Sequence, residues 1–302
     1  MIDIDRVRAA ADRARPHVLR TPLLPVEGAL LKLECLQPTG SFKVRGYFAA
    51  ALALPRERLA RGLLTVSAGN AAQACAYVAH TLGVPCRVVM FDSAPQTKVD
   101  GVKRWGGAIV PMAREDLFRW MAEQGWNTEP EAFLHPHIDE DVMAGHGGLG
   151  LELLEDVSDL RRVLVPVGGG GLIAGVAAAI HGLRPDVEVV GVQSDGYPSW
   201  PRSFAEGKPV SITPSTIADG TAAPCHPKMF ELLKECVDRW LIVPEPRLKS
   251  AIPELASRAK VVAEGAGALA YAALEQLEPG PPTAAIVSGG NIDRALLSEL
   301  LA

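Results

Sequence analysis

The alternation of short apolar runs with helical stretches is the feature that most constrains the fold of this chain. Runs such as Cys86–Phe91 and 162–167 have the composition of buried strands, and stretches with helical spacing of apolar residues follow them. Strands that alternate with helices in this way form parallel sheets covered by helices on both faces. About nine such strands are spread along the chain, so we expect an α/β protein with two mostly parallel sheets.

The two sheets predict a division of the chain into two lobes. We expect residues 43–143 to form a small lobe, inserted into a large lobe built from residues 1–42 and 144–302. In open α/β sheets, ligands bind beyond the carboxyl ends of the strands. Three loops at such positions carry the candidate site residues of this sequence.

Three other segments have predicted conformations that bear on the site. A helix over 140–156 is expected to be interrupted at the glycine-rich stretch 145–150, because glycine destabilises helix interiors. The proline-rich stretch 194–217, which contains Trp200, is expected to be irregular and is a candidate cover for the site. The segment His135-Pro136-His137 has no partner at metal-ligand spacing and is expected to be a loop.

Composition and charge argue against several classes of function. The 302 residues are 48% hydrophobic and 22% charged, as in soluble globular proteins. A net charge of −5 without a run of Lys or Arg argues against nucleic-acid binding. No membrane span is predicted, since no apolar stretch reaches about 18 residues. Five cysteines without a CxxC pair, and an amino terminus without a signal-peptide pattern, predict a cytoplasmic protein.

Lys43 is the candidate catalytic residue. It follows a mostly apolar stretch, a Pro-Thr-Gly turn and the aromatic Phe42, in the run LKLECLQPTGSFKVRG at 31–46. This context predicts an amine placed in a cleft beside a flat ring. A desolvated lysine amine loses part of its preference for the charged form and becomes a nucleophile toward aldehydes. A solvated surface lysine is the alternative.

The first candidate loop is VGGGGL at 167–172, between an apolar strand and a helix. Four glycines let the backbone approach an anion closely, and the amino terminus of the helix adds a partial positive charge. The glycines are consecutive rather than spaced as G-x-G-x-x-G, and no Gly-Lys-Ser/Thr follows, which argues against a dinucleotide or nucleotide site. The loop therefore predicts a phosphate cradle, with a flexible turn as the alternative.

The other two loops are SAGNAAQ at 67–73 and SGGN at 288–291. In the first, backbone N–H groups at the start of a helix suit a carboxylate, and the Asn70 amide can donate to a phenolate oxygen or to a substrate. In the second, the hydroxyl of Ser288 can pair with a ring nitrogen. The residues alone leave open whether each loop is only a turn with a helix cap.

Six motifs together resemble those of a known family. They are LKLECLQPTGSFKVRG, SAGNAAQ, PVGGGGLIAG, TIADG at 216–220, VVAEGAGALA at 261–270 and VSGGNID at 287–293. In this order they resemble the serine/threonine dehydratase family of fold type II pyridoxal-phosphate enzymes, which also contains serine racemase, and they span nearly the whole chain. The resemblance implies two lobes, each with a mostly parallel sheet flanked by helices. It also implies pyridoxal 5'-phosphate as cofactor, a small amino acid as substrate and a homodimer.

The resemblance further implies roles for individual residues. Lys43 would carry the cofactor as a Schiff base, with Phe42 and Gly220 at the two faces of its ring. Asn70 would contact the ring hydroxyl and Ser288 the ring nitrogen, while Glu264 would lie close to the cofactor. The phosphate would be held by Gly168, Gly169, Gly170, Gly171 and Leu172. The substrate carboxylate would be bound by Ser67, Ala68, Gly69, Asn70 and Ala71.

The reaction implied by the family is that of an ammonia-lyase. A β-hydroxy amino acid such as L-threonine or L-serine would lose water by β-elimination and yield a 2-oxo acid and ammonia. The freed Lys43 amine would remove the Cα proton, and the cofactor phosphate, whose second pKa is about 6, would donate a proton to the leaving hydroxyl. The alternatives are β-replacement, elimination from a non-standard β-substituted amino acid, and a non-catalytic binding protein that keeps the fold.

Several positions depart from the family pattern. Ala71 stands where the family usually has histidine, and His146 lies in the stretch that matches G-Q-G-T, where we expect a satisfied core histidine. Ala68 replaces the serine that racemising members use as a second acid/base, so we expect weak racemase activity. Gln193 and Ser199 stand at the divalent-cation positions of some relatives, which predicts that no metal is bound.

Overall fold

The structure is a computed structural model that describes residues 1–26, 28–278 and 280–302. Its strands are β1 (Leu23–Val26), β2 (Ala29–Lys32), β3 (Leu63–Val66), β4 (Cys86–Phe91), β5 (Ala108–Met112), β6 (Ala132–Phe133), β7 (Arg162–Pro166), β8 (Glu188–Ser194), β9 (Arg239–Val243) and β10 (Thr283–Ile286). Its α-helices are α1 (Ile4–Ala14), α2 (Lys43–Ala53), α3 (Arg56–Ala60), α4 (Asn70–Leu82), α5 (Gln96–Lys103), α6 (Arg114–Ala122), α7 (Glu140–Asp156), α8 (Gly171–Leu183), α9 (Ser199–Glu206), α10 (Pro227–Lys234), α11 (Glu245–Glu254), α12 (Gly265–Ala272) and α13 (Arg294–Leu301). Among these residues, no helix has both the length and the apolar character needed to cross a bilayer.

The strands form two sheets, as predicted. The larger sheet has the order β1-β2-β10-β7-β8-β9 and the smaller one has the order β5-β4-β3-β6. All neighbouring strands are parallel except β1 and β2. All four residues of β10 are buried: Ala284 and Ile286 belong to one apolar cluster and Ala285 to another. Both faces of this central strand are therefore covered, which explains why the run is apolar at nearly every position.

The smaller sheet lies inside the range predicted for the small lobe. Its four strands span residues 63–133, and the predicted lobe spans 43–143. The larger sheet takes strands from both sides of that range, as the inserted arrangement requires. The lobe boundaries themselves stay a prediction.

Helix α7 is continuous from Glu140 to Asp156, so the predicted interruption at 145–150 is wrong. The glycines in it allow neighbouring helices to approach closely. A side-chain carbon on Gly145 would lie 2.8 Å from the carbonyl oxygen of Arg45 in α2. One on Gly147 would lie 2.7 Å from the carbonyl oxygen of Gly175 in α8. These contacts seat α2, which begins at Lys43, against α7 and α8.

The stretch 194–217 contains helix α9 and is not irregular throughout. Trp200 in this helix is fully buried. That the stretch 194–217 covers the site stays a prediction. The indole Nε1 of Trp200 donates to the carbonyl oxygen of Gly168 at 2.6 Å, and Gln193 Nε2 donates to that of Val167 at 2.9 Å. The two side chains thus hold the loop after β7 from the interior of the protein.

Candidate active site

The Lys43 segment is joined to the loop that follows β10. The backbone N–H of Phe42 donates to the carbonyl oxygen of Ser288 at 3.1 Å. The Ser288 side chain is buried, and its hydroxyl lies 3.4 Å from the carbonyl oxygen of Ala266. The two segments, which are distant in sequence, therefore place Lys43 beside the carboxyl end of a central strand, where the parallel fold predicts a ligand site.

Lys43 lies at the start of α2, and the residue as a whole is half-buried. Its Nζ donates to the carbonyl oxygen of Pro136 at 2.7 Å and lies 5.1 Å from the centroid of the Phe42 ring. Burial lowers the pKa of this amine from 10.5 to about 8, because the charged form loses solvation. A larger fraction of neutral, nucleophilic amine is therefore present at neutral pH than on an ordinary surface lysine.

The glycine loop presents a row of free donors. None of the backbone N–H groups of residues 168–172 has a hydrogen-bond partner within the described ranges of the chain. Gly170 has a φ of +92°, a left-handed conformation that favours glycine, and α8 begins at the next residue. Free N–H groups at the start of a 13-residue helix form a site for an anion such as phosphate.

Two neighbours line the glycine loop. A side-chain carbon on Gly168 would lie 3.0 Å from the carbonyl oxygen of Gly220. One on Gly169 would overlap the imidazole ring of His137. The predicted contact residue Gly220 is therefore at the loop, and His137, which the sequence analysis assigned to a simple loop, is there as well.

The loop after β3 also has free donors. Ser67 Oγ accepts a hydrogen bond from the N–H of Gly69 at 3.0 Å, so this serine does not cap α4 in the usual way. The N–H groups of Asn70 and Ala71 have no partner in the part of the chain that the structure describes. These two donors, at the start of α4, have the geometry that suits a carboxylate.

The side chain of Asn70 is held at both ends. Its Nδ2 donates to Glu264 Oε1 at 2.6 Å, and its Oδ1 accepts from Asn291 Nδ2 at 2.7 Å. Burial raises the pKa of Glu264 to about 7, although the hydrogen bond from Asn70 opposes the shift. A side-chain carbon on Gly220 would lie 3.9 Å from Glu264 Oε1. Contacts therefore connect Asn70 through Glu264 and Gly220 to the glycine loop.

His146 is buried as predicted, but it is not satisfied. It is fully buried, and neither ring nitrogen has a hydrogen-bond partner among the residues described. Burial lowers its pKa well below the ordinary value, so the ring is neutral. Its ring packs edge-on against Phe42, with 4.7 Å between centroids and 69° between planes. His146 thus supports the aromatic side chain that precedes Lys43.

Pro136 and His137 are site residues that the sequence analysis missed. They lie just after β6, which pairs with β3 in a parallel sheet, so they emerge at the same edge as Ser67. That position at the end of a strand was the available signal. The segment has no metal-ligand spacing, and its sequence alone does not indicate a contact with the glycine loop.

The positions discussed for a metal form hydrogen bonds instead. Gln193 Nε2 lies 3.3 Å from Ser199 Oγ, and Gln193 Oε1 accepts from the N–H of Trp200 at 2.8 Å. In residues 1–26, 28–278 and 280–302, no group of three or more His, Cys, Asp or Glu side chains is placed to hold a metal ion. That no metal is bound stays a prediction.

Comparison with known proteins identifies the family. Residues 14–289 match the family described as "Pyridoxal-phosphate dependent enzyme". The chain belongs to this family. This pyridoxal-phosphate dependent enzyme is 41% identical to the L-threonine ammonia-lyase of Thermotoga maritima, over 100% of its own length and 78% of that protein.

Two solved structures extend the likeness. A threonine deaminase from T.th. has a TM-score of 0.89 at 37% identity, with 96% of this chain and 99% of that chain covered. Maize serine racemase has a TM-score of 0.92 at 31% identity, with 99% of this chain and 96% of that chain covered. The predicted family, the fold type II architecture and the pyridoxal-phosphate cofactor are confirmed.

The residues of the site fit this cofactor, which combines a phosphate, an aldehyde and a pyridine ring. The five free N–H groups of 168–172 match the phosphate, and the Lys43 amine, whose pKa is lowered by burial, matches the aldehyde. The buried Ser288 hydroxyl is available for a ring nitrogen, since its contact to Ala266 at 3.4 Å is long. The individual contacts stay predictions.

Proposed function

We propose that this protein is an ammonia-lyase that dehydrates L-threonine or L-serine to a 2-oxo acid and ammonia. The observation that carries the proposal is the Lys43 amine, whose pKa is lowered to about 8, in one site with a glycine loop of five unpaired N–H groups. The similarity to proteins named L-threonine ammonia-lyase and threonine deaminase favours threonine as the first substrate to test.

The chain's own groups would orient the amino acid. The N–H groups of Asn70 and Ala71 would bind its carboxylate, because they are free and lie at the start of α4. The N–H groups of 168–172 would hold the phosphate, and Ser288 would donate to or accept from the ring nitrogen. Asn70 would keep its orientation, since Glu264 and Asn291 fix both ends of the amide.

Lys43 would move the proton at Cα. Its amine is the base in the neutral form, which a pKa of about 8 makes available near neutral pH. When bound, the cofactor supplies the electron-withdrawing system that makes the Cα proton acidic. Ser288 would pair with the ring nitrogen through a neutral hydroxyl and would supply no charge to stabilise a protonated ring.

Ala68 favours elimination over racemisation. Its side chain is a half-buried methyl group in the loop that would bind the carboxylate, and a methyl group cannot donate or accept a proton. Racemisation requires a second acid/base at the opposite face of Cα. We therefore propose that this chain is primarily a lyase, even though maize serine racemase shares its fold.

A substrate panel tests the proposed function. The holoenzyme is incubated with L-threonine, L-serine, their D-enantiomers and β-substituted analogues, and release of ammonia and 2-oxo acid is measured. We expect turnover of L-threonine or L-serine without an added thiol. A product that requires a thiol would indicate β-replacement. Absence of turnover and of bound cofactor would indicate a binding protein and contradict the proposal.

The pH dependence of cofactor attachment follows from the lowered pKa of Lys43. Only the neutral amine attacks an aldehyde. For a group with a pKa of about 8, the fraction in the neutral form rises about tenfold between pH 7 and 9. We expect the rate of covalent attachment to the cofactor-free protein to rise over this range and then level off. Stopped-flow absorbance measures it, with N-acetyl-lysine as a control whose rate keeps rising above pH 9. A rate that does not change between pH 7 and 9 would contradict the lowered pKa.

A homodimer and a cytoplasmic location complete the proposal. The homodimer rests on the family resemblance, and sedimentation equilibrium tests it directly. The cytoplasmic location is supported by five cysteines that are all free thiols in the structure. Fractionation of cells that express a tagged chain tests it.

A further inference from the structure

The imidazole of His137 packs directly against the glycine loop. A side-chain carbon on Gly169 would overlap this ring, and one on Gly171 would lie 3.0 Å from the carbonyl oxygen of His137. Both the side chain and the main chain of His137 therefore touch the loop. The sequence feature that makes the contact possible is the absence of side chains at two of the four glycines.

The backbone on either side of His137 is fixed, but its ring nitrogens are free. The backbone N–H of His137 donates to His135 Nδ1 at 3.4 Å, and the preceding carbonyl oxygen, of Pro136, accepts from Lys43 at 2.7 Å. Neither ring nitrogen of His137 has a hydrogen-bond partner in the stretches of chain that are described, and the residue is half-buried. An imidazole without a hydrogen-bond partner thus packs against the loop, and the residue before it holds the amine.

The charges around His137 suit an anion. Burial lowers its pKa well below the ordinary value, and His135, Lys43 and His226 lower it further. None of these three groups is acidic. The ring is therefore neutral, with one N–H to donate, and His135 is neutral as well because its pKa is lowered to about 3. The positive charge in these surroundings is that of Lys43, whose pKa of about 8 keeps most of the amine protonated at pH 7, and this charge attracts an anion.

We propose that His137 is an additional ligand of the cofactor phosphate, and that its ring N–H donates a hydrogen bond to a phosphate oxygen and stabilises the dianion. The inference rests on the proposed assignment of residues 168–172 to the phosphate. It adds a side-chain donor to a site otherwise made of backbone N–H groups. The proton stays on the imidazole, and no covalent bond changes.

The test compares pyridoxal 5'-phosphate with pyridoxal, which lacks the phosphate. Dissociation constants for both are measured on the cofactor-free wild-type protein and on His137→Phe, which fills the same space without a donor. We expect the variant to bind pyridoxal 5'-phosphate about tenfold more weakly and pyridoxal unchanged. An equal loss of affinity for both ligands would assign His137 a packing role, and no loss for either would assign it no role. Either result would overturn the inference.

Two further variants and one measurement complete the design. His137→Gln retains an N–H donor and is expected to recover most of the phosphate-dependent affinity. His181→Gln is the matched control. It makes the same change at a histidine that pairs with Asp238 and not with the glycine loop. In 31P NMR, His137→Phe should raise the apparent pKa of the bound phosphate by about one unit, because the dianion loses a donor. An unchanged titration would contradict the proposal.

The wild-type protein alone also decides the question if His137→Phe does not fold. With 15N-labelled histidine, the His137 ring signals should shift with pyridoxal 5'-phosphate and not with pyridoxal; equal shifts would overturn the inference. Borohydride reduction of the same samples keeps the two proposals apart. If no adduct forms on Lys43, the proposed function fails. If the adduct forms and the phosphate effects are absent, only the role of His137 fails.

Discussion

Replacing Lys43 by alanine is expected to lower kcat for elimination by at least about 10³-fold, because the change removes two functions of one amine. The amine is the group that would attach the cofactor covalently and the base that would move the Cα proton. Its surroundings are specialised for both, since burial lowers its pKa to about 8 and Pro136 holds its Nζ at 2.7 Å. Ammonia release from L-threonine measures the loss.

Lys249→Ala provides the matched control, because Lys249 is exposed on α11 and its loss should leave turnover unchanged. Borohydride reduction of the wild-type holoenzyme, followed by peptide mass mapping, should place the cofactor on residue 43 and nowhere else. Near-normal turnover of Lys43→Ala, or an adduct on another lysine, would remove the basis of the proposed mechanism.

The positions of the site loops could be predicted from the sequence, because strand ends and helix starts have local signals. The apolar run 162–167 followed by four glycines is one example, and the structure places those glycines at the end of β7 and the start of α8. In a parallel sheet the carboxyl ends of the strands meet at one edge. The pattern therefore places Ser67 at that edge of the smaller sheet, and Gly168 and Ser288 at that edge of the larger sheet.

Contacts between distant segments could not be predicted in the same way. The glycines at 145–150 indicated a break in α7, since glycine lowers helix propensity. Close approach of α2 and α8 compensates for that cost, because Gly145 meets the backbone of Arg45 and Gly147 meets that of Gly175. The contact of His137 with Gly169 could not be predicted either. The imidazole occupies the space that a side chain at Gly169 would fill, and nothing in the sequence near either residue indicates that the two meet.

Buried charges are a second feature without a local signal, and Arg45 is the main example. Its guanidinium is 3% exposed and makes two hydrogen bonds to Glu34, at 2.7 and 2.8 Å. It makes two more to Glu152 in α7, at 2.7 and 2.9 Å. Lys32 is fully buried and also pairs with Glu152, at 2.7 Å. The network joins β2, α2 and α7, and therefore holds the helix that begins with Lys43.

Arg45→Ala is expected to reduce the free energy of unfolding by about 3–5 kcal/mol at neutral pH, because it leaves a buried carboxylate without its partner. Glu34 is fully buried, and burial by itself would raise its pKa; the charge and hydrogen bonds of Arg45 hold that pKa below the ordinary value. Urea titration of the cofactor-bound protein measures the loss. Arg20→Ala is the control, because Arg20 is 52% exposed and its ion pairs with Glu155 and Asp156 should contribute at most about 1 kcal/mol.

The pH dependence of this loss separates the buried charge from simple packing. Without Arg45, the folded-state pKa of Glu34 should rise above the unfolded value, so the folded variant binds the proton more tightly than the unfolded chain. The stability of the variant should then fall as the pH rises from the unfolded pKa of Glu34 to its raised folded pKa. In the wild-type protein the folded pKa is lowered, so Glu34 contributes stability above its unfolded pKa and loses it as the pH falls through the folded pKa. The difference between the two proteins should therefore be smaller near pH 4.5, the ordinary pKa of a glutamate, than at pH 7. Glu34 also accepts hydrogen bonds from Thr21 Oγ1 at 2.6 Å and Gln37 Nε2 at 3.3 Å. A difference that is equal at both pH values would mean that Arg45 contributes through the packing of its side chain, and that these two hydrogen bonds and the charge of Lys32 compensate the charge on Glu34.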